Sequence, residues 1–378
     1  MKINLFFDPN VRGHIIEYLH HTYIYTKNST DQFVYVVSPF FRERSKTLNW
    51  PERCNVKIVY MTEGEVKKCS QLNKMKAAWW ISKLISQYAE REKATHVFLN
   101  YLKNALPFIL FKLPKNCKAS GIIYSNYLNK RQSRFNYKII IEKMFYVLLA
   151  HNNKIGNILL LNDAQSASYF NKTMHSNKFK PIVDPINNVD FSKLKDLRTD
   201  LQIPKENRIF LQFGSLDKRK NTLTILDAAL GISDKELSKI TLIFAGRLYD
   251  NIKQEFNEKI NLLKQKTQVI VLEGFLSFEF LFSLCKTVDC IFTCYDNIEQ
   301  SSGTIGYASL FRTPVIGPDK GLLGKLINEY ELGVTLSSVT AEEIRSAMLI
   351  SQLPIPDQKY ARTNTIEKFA KTIMGVLQ

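Results

Sequence analysis

Between Ile291 and Pro318 the sequence reads IFTCYDNIEQSSGTIGYASLFRTPVIGP, and its residue types suit the binding of an anion. An apolar, strand-like run ends at Cys294. A loop then carries one carboxylate, Glu299, and the small polar cluster Ser301, Ser302, Gly303 and Thr304. Apolar and small residues follow as a helix that should stop at Arg312, before a second strand begins at Pro314. The first N–H groups of such a helix have no intrahelical partner and lie at the positive end of its dipole, so a phosphate can be held there without a basic side chain. The Ser302-Gly303-Thr304 step offers a cap oxygen and close access to the backbone. The same residues also fit an ordinary capped helix of an α/β domain.

Two further stretches place charge at strand ends. In GSLDKRK, Gly214 permits a sharp turn after an apolar run, and Lys218, Arg219 and Lys220 bring three cations to its end. AGR, ending in Arg247, follows the next apolar run. Lysine and arginine in this position can neutralise a diphosphate and stabilise it as a leaving group. A solvated basic turn is the plainer reading of Lys218-Arg219-Lys220.

The elements that must position these residues are those of an α/β protein. At 378 residues the chain suits two domains, and 45% hydrophobic with 23% charged residues is a globular composition. Short apolar runs predict strands over 2–7, 33–38, 56–61, 96–100, 120–124 and 158–161 in the first half, and over 208–213, 240–245, 269–272, 289–293 and 313–316 in the second. Helix-compatible segments between them include 14–25, 71–91, 105–112 and 133–150. This alternation predicts parallel sheets covered on both faces. Residues 180–207, with three prolines and mixed charge, read as a linker. We therefore expect domains at 1–185 and 186–355, with a helix in 356–378 that packs back on the first.

Six cysteines show no C-x2-C pair and no histidine at metal spacing, so neither a disulfide framework nor a zinc site is expected. No apolar run reaches the length of a membrane span, and the N-terminus lacks a secretory pattern. A cytoplasmic protein, or one peripheral to the inner face of a membrane, is expected. The net charge of +17 favours anionic partners. Basic residues alternate with aromatic ones in Tyr127, Lys130, Arg131, Arg134, Phe135, Tyr137, Lys138, Lys143, Phe145 and Tyr146, and near Trp79 and Trp80. Such a surface suits an anionic bilayer, although ordinary amphipathic helices give the same pattern.

In order, these motifs resemble the nucleotide-sugar-binding half of GT-B glycosyltransferases, in particular the retaining group classed as family 4. Gly214, Leu216 and Lys220 fit its G-x-L-x-x-x-K. EGFLSFEFLFSLCKTVDCIFT, from Glu273 to Thr293, is similar to its G-F-hydrophobic-Ser turn, acidic helix and strand. Glu299 and Pro314-Val315-Ile316 keep the register of its Glu and P-V-[IV] run. The resemblance spans Arg208 to Ser338. It implies a GT-B fold of two Rossmann-like doubly wound domains facing a central cleft. The first would bind the acceptor and the second the nucleotide sugar.

The activity so implied is metal-independent transfer of a sugar from a UDP- or GDP-type donor to an acceptor hydroxyl, with retention and without a cofactor. Lys220 and Glu299 would be catalytic, joined by His14. Gly13, Gly214, Ser215, Arg219, Arg247, Phe275, Leu276, Ser301, Ser302, Gly303, Thr304 and Tyr307 would line the donor site. The acceptor would be a saccharide or lipid-linked saccharide of bacterial surface polysaccharide or lipopolysaccharide synthesis. The sequence departs from the family at Tyr307, where a second Glu is usual, at Ser215 for Arg, at Asn221 for Gly, and at Tyr124-Ser125-Asn126-Tyr127, where a His is common. His96 reads as a strand residue, and His20 and His21 as solvent-facing. The competing classes are a GT-B relative that has lost catalysis and acts as a partner, and a basic nucleic-acid binder. Against the latter, no reading motif is present and acidic residues interrupt the basic ones.

Overall fold

The structure is a computed structural model that describes residues 1–378 apart from Arg12, Gly13, Thr47, 131–136, Phe275 and Gln378, and apart from the side chains of Tyr137 and Lys138. It divides into two compact units. The first takes in Met1–Leu128, Gln132–Pro185 and Ile366–Gln378, and the second Ile186–Thr365 with the short piece Asn129–Arg131.

Among the described residues the first unit has seven strands: β1 (Ile3–Asp8), β2 (Gln32–Val37), β3 (Val56–Tyr60), β4 (His96–Leu99), β5 (Lys118–Ile123), β6 (Ile155–Leu161) and β7 (Phe179–Ile182). They pair in parallel in the order β3-β2-β1-β4-β5-β6-β7. Helices α1 (Ile15–Tyr25), α2 (Phe41–Arg44), α3 (Glu63–Gln71), α4 (Lys74–Arg91), α5 (Ile109–Lys112), α6 (Tyr137–His151) and α7 (Ala164–Thr173) connect them. Core residues of α4, α5, α6 and α7 form one cluster with one face of the sheet, and those of α1 form another with the opposite face. Both faces are therefore covered, as continuous apolar strands require.

Two local features differ from the sequence reading. The segment expected as one helix over 71–91 is two, because Leu72 is extended and Asn73 caps α4 by accepting from the Lys76 N–H at 3.0 Å. Strand β7 lies in what reads as linker. Pro181 cannot donate to a ladder, but β7 is the last strand of the sheet and pairs on one side only, where proline is tolerated.

The second unit repeats the plan with β8 (Arg208–Leu216), β9 (Ile240–Leu248), β10 (Gln268–Glu273), β11 (Cys290–Phe292), β12 (Val315–Pro318) and β13 (Gly333–Leu336) in the order β10-β9-β8-β11-β12-β13. All pairs are parallel. Its helices are α8 (Thr222–Leu230), α9 (Asp234–Leu237), α10 (Asp250–Lys264), α11 (Phe278–Thr287), α12 (Gly303–Phe311), α13 (Gly321–Glu329), α14 (Ala341–Met348) and α15 (Lys359–Thr363). The last helix, α16 (Ile366–Leu377), belongs to the first unit. Its Phe369, Ile373 and Val376 join Tyr18, Leu19 and Tyr23 of α1 in one core cluster. Each sheet thus reverses its winding once, beside β1 and beside β8, and ligands of doubly wound sheets bind at such a point, outside the carboxyl ends of the strands.

Strands β8 and β9 approach so closely at those ends that a Cβ on Gly246 would lie 1.9 Å from the Gly214 carbonyl oxygen, and Gly246 has φ +136°. Gly246→Ala is expected to cost at least about 2 kcal/mol in urea unfolding. Gly64, in the first turn of α3, has nothing within 4 Å of an added Cβ. Gly64→Ala should stabilise by roughly 0.5 kcal/mol. Equal effects at the two positions would contradict the packing described.

Candidate functional site

At the carboxyl edge of the second sheet three neighbouring strand ends carry a glycine with positive φ: Gly214 at +91°, Gly246 at +136° and Gly274 at +118°. Gly214 is paired with Gly246, and the Gly274 N–H donates to the Gly246 carbonyl at 3.1 Å. These conformations turn the chain sharply and strip the edge of side-chain bulk.

Lys218, Arg219 and Lys220 form a short 3-10 turn after β8, capped by Asp217, whose carboxylate accepts from the Lys220 N–H at 2.9 Å. The Lys220 side chain folds back to donate to the Phe213 carbonyl at 2.9 Å, and its Nζ lies 4.8 Å from the centre of the Tyr295 ring. A Cβ on Gly214 would come within 3.0 Å of that Nζ, so glycine leaves the room the ammonium uses. Tyr295 is buried, and its hydroxyl meets Thr304 Oγ1 at 2.8 Å, with Ser302 Oγ at 3.5 Å. Burial pushes the Tyr295 phenol up, but the Lys220 charge and the hydrogen bonds with Ser302, Thr304 and Lys220 outweigh it and bring the phenol below its ordinary value.

The cationic turn is therefore tied to the start of α12. Ser302 caps that helix by accepting from the Thr304 N–H at 3.3 Å. Three further bonds join the same loops. Asn221, in the left-handed conformation at φ 53°, donates to the Cys294 carbonyl at 3.0 Å and to Asp296 Oδ1 at 2.8 Å, and the Asp296 N–H donates to the Arg219 carbonyl at 2.9 Å. Asn is among the few residues other than Gly that adopt this backbone readily, which explains how it stands where the resembling family has Gly.

The other expected donor-site residues fall around this core. Glu299 and Ser301 are half-buried in the loop before α12, and the Glu299 N–H donates to Asn297 Oδ1 at 3.4 Å. Ser215 is half-buried within β8, next to Gly214. Arg219 is exposed, with a guanidinium nitrogen 3.5 Å from Asp217. Arg247 is exposed at the end of β9, its guanidinium 5.0 Å from the Tyr249 ring centre. Leu276 is half-buried beside Ser277, the cap of α11. Tyr307 is buried, with its ring 5.3 Å from Phe282 and 6.2 Å from Phe213. Phe275 and Gly13 lie outside the described residues.

In the first unit the carboxyl edge has a different chemistry. His14 precedes α1, with a half-exposed side chain whose Nδ1 is 3.0 Å from Glu17. The Glu17 hydrogen bond and the nearby Asp184 charge outweigh desolvation and hold the His14 imidazole above its ordinary value. Tyr18 donates to Asp184 at 2.5 Å, and Tyr101 stacks on Tyr124 at 4.4 Å. Asp8, at the end of β1, is buried and accepts from the Asn10 N–H at 3.0 Å and from Asn100 at 3.2 Å. Burial raises its carboxyl to about 7.

Some expectations change. His21 is buried rather than solvent-facing, because α16 covers α1 and places Phe369 edge-on 6.3 Å away. Tyr127 and Tyr146 belong to the core, packed with Phe170, and not to a basic surface. Arg131, Arg134, Phe135 and the side chains of Tyr137 and Lys138 lie outside the description. His96 is a strand residue bonded to Ser120 at 2.9 Å. All six cysteines are free thiols, and among the described residues no group of three or more His, Cys, Asp or Glu could hold a metal ion. Sequence reading missed Tyr295 and Asp8. Asp8 stands at the very end of an apolar strand, which is the signal that could have found it, whereas Tyr295 comes three residues after β11 and carried no such signal.

Neither a family model nor a curated protein matches this sequence. Solved structures match it over its whole length. HepE of Anabaena, in complex with UDP and glucose, is 15% identical, covering 100% of this chain and 99% of its own at a TM-score of 0.66. WaaG, a glycosyltransferase involved in lipopolysaccharide biosynthesis, is 11% identical, covering 99% and 94% at 0.62. Sucrose-phosphate synthase of Thermosynechococcus elongatus is 12% identical, covering 100% and 95% at 0.65. The arrangement common to them is the GT-B fold, and at these identities the likeness establishes the fold of this chain.

Two measurements check the site's electrostatics. Tyrosine absorbance titration should show a phenol ionising below 10.0, lost in Tyr295→Phe. Because the folded value is depressed, wild-type stability relative to Tyr295→Phe should rise with pH between the folded value and that of the unfolded chain. Asp8 has the opposite sign. Its folded value is raised from 3.8 to about 7, so its contribution is greatest below 3.8 and is lost as pH rises through 7. Relative to Asp8→Asn, wild type should lose a few kcal/mol of stability across that window, and a flat difference would contradict a buried carboxyl.

Proposed function

We propose that the protein is a glycosyltransferase that moves a sugar from a nucleoside-diphosphate donor to an acceptor hydroxyl. The observation that carries this reading is the Lys220 ammonium, held over Tyr295, which itself bonds the first residues of α12. A cation and a helix start tied together at the carboxyl edge of a parallel sheet suit a diphosphate. Solved GT-B structures with UDP or UDP-glucose support the choice of donor class.

In this reading the anomeric C–O bond to the β-phosphate breaks as the acceptor oxygen bonds to the anomeric carbon, and the acceptor proton passes to the departing diphosphate. Lys220 and the α12 N-terminus take the charge that develops on that leaving group. Lysine has three donors, and its bonds to the Phe213 carbonyl and to Tyr295 leave one for phosphate. Gly214, Ser215 and Arg219 would approach the diphosphate with Ser301, Ser302, Gly303 and Thr304. Glu299 would accept hydrogen bonds from the sugar hydroxyls. Arg247, Phe275, Leu276 and Tyr307 would surround the nucleoside. Gly13 and His14 of the first unit would contact phosphate or acceptor. Reaction with retention, without a metal ion, and on a saccharide or lipid-linked saccharide of surface polysaccharide synthesis follows the family resemblance.

A catalytically silent partner protein is the second reading. Tyr307 favours it, because a buried ring within the core of the second unit stands where the resembling family offers a ribose-binding carboxylate.

A screen of UDP, GDP and their sugars by thermal shift is expected to raise the melting temperature with one nucleotide series. Donor hydrolysis or transfer should then fall about 100-fold or more in kcat for Lys220→Ala and for Glu299→Ala. Stabilisation by no nucleotide would favour the silent reading, and full activity in both variants would overturn the site.

A further inference from the structure

Helix α6 is apolar on two opposite sides. Tyr146, Leu149 and Ala150 turn inward to the core of the first unit. Ile140, Ile141, Met144, Val147 and Leu148 stand outward with exposures of 61, 47, 62, 45 and 50%. At 3.6 residues per turn these five fall within one arc roughly 120° wide, opposite the inward set. A helix that is apolar on both faces is normally covered on both. Clusters of this kind on a soluble surface mark a place where something binds.

Other groups on the same side of the sheet point to the partner's chemistry. Helices α4 and α5 pack on the same face of the sheet as α6 and present further apolar groups, Met75 at 56%, Trp79 at 40% and Phe111 at 78% exposure. Lysines frame them. Lys112 Nζ lies 4.8 Å and Lys83 Nζ 5.6 Å from the Trp79 ring centre. Exposed Lys143 stands on α6 itself.

Charge is concentrated in the same part of the chain. Residues 74–151 hold fourteen Lys and Arg against three Glu, a surplus of eleven out of the net +17. Two of those carboxylates are already paired, Glu92 with Lys57 at 2.6 Å and Glu142 with Lys103 at 2.7 Å.

We propose that this face docks on an anionic phospholipid surface. The α6 stripe enters the boundary between headgroups and acyl chains, Trp79 lies at the interface, and the lysines meet lipid phosphates. A second copy of the chain suits the stripe less well, because a two-fold contact would set the same positive surface against itself. A bilayer supplies both what the stripe and what the lysines require. This inference rests on the surface of the first unit and does not depend on the glycosyl-transfer reading.

The test uses the full chain in flotation with phosphatidylcholine vesicles, with and without phosphatidylglycerol. Binding should require phosphatidylglycerol and weaken with salt. The double variant Ile140→Glu, Met144→Glu should lose at least about tenfold in binding. Lys112→Ala and Lys143→Ala should each lose about fivefold. Because Ile140, Met144 and Lys143 are exposed and Lys112 is only half-buried, each variant should keep the wild-type melting temperature within a few degrees and the same thermal response to nucleotide, which separates failure of docking from failure of donor binding. Equal flotation with both vesicle types, no flotation, or wild-type flotation of the double variant would overturn the proposal. So would sedimentation showing a wild-type dimer that the double variant dissolves, since a second copy would then occupy the face.

Discussion

The contact between Lys220 and Tyr295 is the constraint on which the arrangement of the second unit's carboxyl edge depends. Tyr295 has its hydroxyl buried, and that group must be satisfied where water cannot reach it. Thr304 and Ser302 supply the partners, which fixes the start of α12 against the end of β11. Lys220 lies over the same ring and reaches the Phe213 carbonyl, which fixes the turn after β8 as well. Asn221 adds two bonds between the same loops. Loops about seventy residues apart in sequence are thereby tied to one another, and a cation already in place needs little rearrangement when charge develops beside it.

Sterics set the same edge from beneath. Gly214, Gly246 and Gly274 end three adjacent strands in backbone conformations that side chains resist, so ligand and backbone can meet there. The first unit repeats the winding but not the chemistry. Its strand ends carry Asp8, Asp184 and the stacked pair Tyr101 and Tyr124, acceptors and rings instead of cations. One fold plan thus yields one edge lined with cations and another lined with acceptors and aromatic rings.

The architecture was largely legible in the sequence because buried parallel strands are continuous apolar runs, and eleven of them stand out. The two that did not, β7 and β13, are outer strands of their sheets, where a proline or a short, half-exposed run is permitted. The candidate site showed in the sequence only through Gly, Ser and Lys types at fixed spacing. Tyr295 was not, because a tyrosine after a strand looks like core until its hydroxyl partners are known. The burial of His21 under α16 and of Tyr127 and Tyr146 against Phe170 came from contacts distant in sequence, which periodicity cannot report.

The central claim is that the tied loops of the second unit receive a nucleoside diphosphate. Hydrogen exchange with and without UDP or GDP measures this directly, since bound ligand slows opening of the amides it touches. The account predicts that the binding nucleotide protects peptides covering Gly214–Thr222 and Ser301–Ile305, and that this protection disappears in Lys220→Ala. Protection confined to other segments, with these two stretches unchanged, would contradict it.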